Sequence, residues 1–138
     1  MKMESNMAGE NDRNISFLVG KTLSNVEQVD TCQGSGNDGI KFTLEDGREY
    51  FLTHYQDCCE NVSVEDIAGD LKDLIGTPIT KAEESIKDDE TVSEYGMWTY
   101  YLLATVRGYV NIRFYGSSNG YYAVGVSFIK SGRGKYDD

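Results

Sequence analysis

Between Tyr95 and Tyr136 the sequence has no Asp and no Glu, although the 138-residue chain carries a formal net charge of −10. Other scarcities are as telling. There is one proline (Pro78), one histidine (His54) and an odd count of three cysteines, two of them adjacent (Cys32, Cys58, Cys59). Adjacent cysteines bridge only with backbone strain, so reduced thiols in a reducing compartment are the simplest expectation. No apolar run approaches the roughly 18 residues that span a bilayer, and the polar start from Met1 to Asn14 has no apolar leader core, so a cytoplasmic protein without membrane contact is expected. The lack of clustered cations on an acidic chain argues against duplex DNA as a partner, because neutralising phosphates needs Lys and Arg facing the polyanion.

What fills the carboxylate-free stretch is five basic residues (Arg107, Arg113, Lys130, Arg133, Lys135), the only Trp, and eight of the ten Tyr. A cationic, aromatic patch on an acidic body is where an anionic, ring-bearing ligand is to be sought. With 39% hydrophobic residues the chain is expected to form one compact domain over residues 14–131, with residues 1–13 and 132–138 as flexible tails.

The local patterns predict an α+β fold: a mainly antiparallel sheet of about six or seven strands, one amphipathic helix and a C-terminal three-stranded meander. Thr22 to Val29 suits a first strand, followed by a Gly/Ser/Asn-rich loop from Asp30 to Gly39. Ile40, Phe42 and Leu44 alternate with polar residues, and Asp46-Gly47 supplies a two-residue hairpin turn before a strand from Arg48 to Tyr55. Val64, Ile67, Leu71, Leu74 and Ile75 recur at helical spacing, with Gly76 placed to end that helix and Pro78 to stop its continuation. A strand from Ile79 to about Ser85 and an acidic loop from Lys87 to Glu94 follow.

The remainder reads as strands Met97–Val106, Tyr109–Tyr115 and Tyr121–Lys130. An Arg107-Gly108 turn would set Leu103 opposite Ile112 and Thr105 opposite Val110, with Tyr101, Phe114 and Tyr122 on the same, core-facing side. The reverse side would have a small or polar floor (Ala104, Asn111, Ala123, Gly125, Ser127) and a rim of Trp98, Tyr100, Tyr109, Arg113, Tyr115 and Tyr121, making a shallow cup. Tyr and Trp supply flat area with a polar tip, and Arg a planar fork for phosphate. The candidate ligand-binding residues are therefore Trp98, Tyr109, Tyr115 and Tyr121 for stacking, Arg113 and Arg107 for anionic groups, and Asn111 for a base or ribose. A Tyr-rich face is also what half-exposed sheet presents, or what buries against another subunit, and a homo-oligomer is expected.

Rival chemistry is thin. His54 near Asp57, Cys58 and Cys59 invites zinc or a thiol nucleophile, but the spacing lacks separated ligand pairs and no orienting third residue is identifiable. A Cys packed as a small hydrophobe, with Asp57 or Asn61 capping a turn, accounts for the segment. Asp88-Asp89-Glu90 reads as a solvated face, and Gly116–Gly120 as a turn. No catalytic residue, metal ligand or cofactor is assigned.

Leu18-Val19-Gly20-Lys21, the HYQDCCE segment from His54 to Glu60, VEDIAGDLKDLIGTPI from Val64 to Ile79, Trp98-Thr99-Tyr100-Tyr101 and GYVNIRFYGSSNGYY from Gly108 to Tyr122 together resemble a family of small acidic phage and prophage proteins. More distantly, the LxGK-like start, the hairpin, the DCC corner and the G-x-x-I ending are similar to the anti-Thoeris sponge proteins of phages, which bind cyclic ADP-ribose-type signals, and some of which bind cyclic oligonucleotides, without cleaving them. No ligand contact is carried over from either resemblance. Together with the aromatic face they imply a non-enzymatic counter-defence protein, in the cytoplasm of an infected or lysogenic bacterium, that sequesters a small anionic nucleotide-like ligand. The alternative is an acidic inhibitor or nucleic-acid mimic whose partner is a host protein, acting through the carboxylates of residues 57–73 and 83–94.

Overall fold

The computed structural model describes residues 14–29, 39–54, 60–120 and 123–130. The terminal tails, most of the loop after Asp30, all three cysteines, and Tyr121 and Tyr122 lie outside the described residues. Among the described residues eight strands form two four-stranded antiparallel sheets. The first sheet runs in the order β1 (Leu23–Val29), β2 (Gly39–Leu44), β3 (Glu49–Thr53), β8 (Ser127–Lys130); the second runs β4 (Asn61–Ala68), β7 (Gly108–Ser118), β6 (Tyr95–Thr105), β5 (Lys81–Asp88). Their inner faces share one hydrophobic cluster, to which Phe42, Leu52 and Phe128 contribute from one side and Leu103, Ile112 and Phe114 from the other.

The β2–β3 hairpin follows its alternation, with Ile40, Phe42 and Leu44 buried. Its loop holds three residues instead of the expected two: Thr43 pairs with Glu49, Leu44 bonds to Arg48, and Gly47 takes the left-handed conformation (φ 95°) that closes a three-residue turn.

The expected amphipathic helix is absent. Residues 61–68 form β4, and only a single 3-10 turn, Leu71–Leu74, follows. Val62 and Val64 bury at strand spacing; a bulge between Val64 and Asp66 then shifts the phase, so that Ile67 returns to the inner side. Strand, bulge and turn in succession imitate the three-and-four spacing of a helix. Asp70 caps the 3-10 turn by accepting the Lys72 N–H (3.0 Å), and Gly76 (φ 91°) turns the chain out of it.

The meander is also corrected. β6 and β7 pair as a hairpin, but the third strand leaves them: β8 pairs with β3, Phe128 opposite Leu52, and so completes the first sheet. The hairpin turn is Val106-Arg107, one residue earlier than expected, so Leu103 faces Val110 and Tyr101 faces Ile112. The Thr105 hydroxyl fixes this turn by donating to the Asp73 carbonyl (2.5 Å) and accepting the Arg107 N–H (3.1 Å). Moving a turn by one residue moves every partner by two, which leaves each side chain on its original face. Tyr101, Leu103, Thr105, Val110, Ile112 and Phe114 are accordingly all buried.

Candidate functional site: an outward aromatic face

The long β6–β7 hairpin, eleven residues per strand, presents Trp98, Tyr100, Leu102 and Ala104 on one strand and Tyr109, Asn111, Arg113 and Tyr115 on the other, away from the core. Cross-strand register pairs Trp98 with Tyr115, Tyr100 with Arg113, Leu102 with Asn111 and Ala104 with Tyr109. The Trp98 ring stacks near-parallel with Tyr100 (6.2 Å between centroids, 15°) and tilts against Tyr115 (4.7 Å, 57°). The Arg113 guanidinium lies 5.4 Å from the Trp98 ring centre. That arrangement adds a cation–π contact to two aromatic pairs on one surface.

Neighbouring groups hold these side chains in place. Arg113 pairs with Asp66 of β4 (Nη2 to Oδ2, 3.2 Å), both half-exposed. The Tyr115 hydroxyl donates to Asp89 Oδ2 (2.7 Å), whose other oxygen accepts from the Thr91 N–H and hydroxyl. Those bonds, from Thr91 first and then Tyr115, hold the Asp89 carboxyl below its usual range, and the same carboxylate pushes the Tyr115 phenol up. A Cβ at Gly96 would stand 2.2 Å from the Tyr115 hydroxyl oxygen, so the ring lies across the strand only because that position is glycine.

The face lacks the third strand of the expected cup. Ala123, Gly125 and Ser127 do not floor it, because the segment carrying them joins the other sheet. Of the seven candidates, Trp98, Arg113 and Tyr115 come together, with Tyr100 beside them, and Asn111 lies one row away. Tyr109, 66% exposed, is four residues before Arg113 on β7, about 13 Å away, and Arg107 sits in the turn that precedes it. Tyr121 is outside the described residues. The sequence reading missed Asp66 and Asp89 as partners of the face; the bulge that brings Asp66 opposite Arg113 has no signature in the residue pattern.

Beside the Tyr95 end of the hairpin lies a groove of about 310 Å³ lined by residues that include Asn61, Val92, Ser93, Glu94, Tyr95 and Ser117. Among the described residues its one charged lining group is the Glu94 carboxylate, which disfavours an anion there. A separate buried constellation joins the sheets: His54 Nδ1 lies 2.7 Å from the Gly125 carbonyl and Nε2 lies 2.7 Å from Glu60 Oε2, with 6% and 0% of the two side chains exposed. Since a carbonyl only accepts, Nδ1 carries a proton, and a second proton is shared between Nε2 and Glu60. This is a clamp between the end of β3, the start of β4 and the approach to β8. Among the described residues no cluster of three or more His, Cys, Asp or Glu is arranged to hold a metal ion, and no helix is long and apolar enough to cross a membrane.

Among the described residues, two antiparallel four-stranded sheets with an aromatic cluster on the outer side of the second define the class of this fold. The chain belongs to a family described as a domain of unknown function (DUF7448), whose profile matches residues 16–128. No curated protein and no solved structure matches it.

Proposed function

We propose that this protein is a non-catalytic binding module that captures a small anionic, ring-bearing ligand of nucleotide type on the β6–β7 face. The observation that carries the reading is the Arg113 guanidinium lying beside the Trp98 ring, in a half-exposed group that also includes Tyr100 and Tyr115. A base stacks on Trp98 or Tyr100, and a phosphate takes the guanidinium. Stacking of a base on an aromatic side chain is worth about 1–3 kcal/mol. The solvent-exposed Arg113–Asp66 pair holds the guanidinium by no more than about 1 kcal/mol, so a phosphate displaces the carboxylate at small cost. Sequestration of such a signal is the counter-defence role that the resemblance to phage proteins implies.

Trp98 is the only tryptophan, so its fluorescence reports directly on the site. Titration with a panel of linear and cyclic nucleotides is expected to quench it, with matching heat by calorimetry. Arg113→Ala weakens binding about tenfold or more through loss of a charge-assisted bond. A panel that leaves both the fluorescence and the heat unchanged removes the reading. The rival, an acidic surface that engages a basic host protein, is favoured by one observation: Glu83, Asp88, Glu90 and Glu94 are all exposed along β5 and the loop after it. Its signature is a salt-sensitive protein complex that forms without nucleotide.

A further inference from the structure

Each sheet has two edges, and three of the four are blunted. β1 and β4 carry irregularities in register, between Leu23 and Asn25 and between Val64 and Asp66, and β8 has four residues. β5 differs: it is eight residues long, pairs with β6 without a register shift, exposes every residue except Ala82, and among the described residues has no strand on its far side, the 3-10 turn Ile15–Leu18 being the other element that lies against it. Long regular edges invite pairing with another chain.

We propose that β5 pairs antiparallel with β5 of a second copy, about a two-fold axis normal to the sheet that passes through Ser85. Directly opposed residues must share a face, so the axis falls on a residue, and the charges decide which. An axis through Glu84 opposes Glu84 to itself and Lys81 to Lys87. One through Ile86 sets Glu84 against Asp88, and one through Glu83 opposes that carboxylate to its own copy. The axis through Ser85 places Glu83 opposite Lys87 of the second copy, twice by symmetry, and Lys81 opposite Asp89, with no like charges facing. On the inner side it brings the two Ile86 side chains, each 57% exposed in the single chain, into diagonal contact. Glu84, opposite the other copy's Ile86, is already drawn toward its own sheet by the Tyr101 hydroxyl, which donates to it at 2.7 Å.

The result is one continuous eight-stranded sheet. Because Ser85 pairs with Tyr100 within each copy, the two Tyr100 rings would flank a Ser85–Ser85 floor about 14 Å apart, three strand spacings. That consequence rests on the binding reading above; the pairing itself does not.

Sedimentation equilibrium and native mass spectrometry on ligand-free protein, over a concentration series, test the pairing. The expected result is a dimer. Glu83→Lys and Lys87→Glu, each at an exposed position, are expected to raise its dissociation constant about tenfold or more by setting like charges opposite at two places, and the double exchange to restore it. A monomer throughout, a dimer indifferent to either single reversal, or a double variant that stays dissociated overturns the proposal. A failed nucleotide titration leaves this experiment unaffected.

Discussion

The two sheets distribute their aromatic rings differently: among the described residues the strands of the first have a single outward ring, Phe51, and those of the second have four. In the first, Phe42, Tyr50 and Phe128 turn inward and meet Phe17 in a continuous cluster, with Tyr50 stacked on Phe128 at 5.3 Å and 7°. In the second, Tyr101 and Phe114 fill the core edge-to-face while Trp98, Tyr100, Tyr109 and Tyr115 stand on the far side, facing solvent or one another. Inward rings are explained by the apolar area they remove from water. The outward rings, half-buried against one another, remove less, and that difference sets a stability element apart from the surface proposed for binding.

The comparison can be broken by substitution. His54→Ala, which takes from the buried Glu60 its imidazole partner, is expected to cost about 3–5 kcal/mol in urea unfolding. Phe42→Ala in the first sheet costs a similar amount, about 3–5 kcal/mol, through lost burial and the cavity left behind. Gly116→Ala comes next, at about 1–3 kcal/mol, because the new Cβ would lie 2.6 Å from the Val124 side chain and 3.0 Å from its carbonyl. Trp98→Ala is expected to cost only about 1 kcal/mol, the worth of its ring pairs, while abolishing the heat of nucleotide binding in calorimetry. If Trp98→Ala unfolds the protein as Phe42→Ala does, the outward face is core after all.

The smallest effect is one of pH. The Asp89 carboxyl titrates below its usual value in the folded chain, so the stability it contributes is complete above the unfolded-state pKa, about 4, and is lost as the pH falls through the lower folded value. Trp98 emission, through its contact with Tyr115, is expected to change on acidification below about pH 4 and to lose that change in Asp89→Asn.

Much of this was legible in the residues, for reasons that differ from strand to strand. The β2–β3 hairpin announces itself because one face is buried and the other wet, so polarity alternates with the pleat. The outward position of Trp98, Arg113 and Tyr115 was legible too, since a misplaced turn alters partners in steps of two and never exchanges faces. What eluded the sequence is non-local. Nothing near Val64 marks a bulge, so the apolar spacing through Leu74 fits a helix as well as it fits strand plus turn. Nothing in Ser127–Lys130 says that its partner is β3, far back in the chain, instead of the adjacent β7. The cup was lost with that strand, and the pairing of Arg113 with Asp66 became visible only once β4 was in place.

The pairing of β8 with β3 has a further meaning for how the chain is made. On the ribosome, the N-terminal hairpin emerges with one flank bare and stays so until residues near 130 clear the exit tunnel, so the first sheet closes last. Closing a loop over so long a stretch is slow, and until then the free side of β3 is an unpaired strand edge.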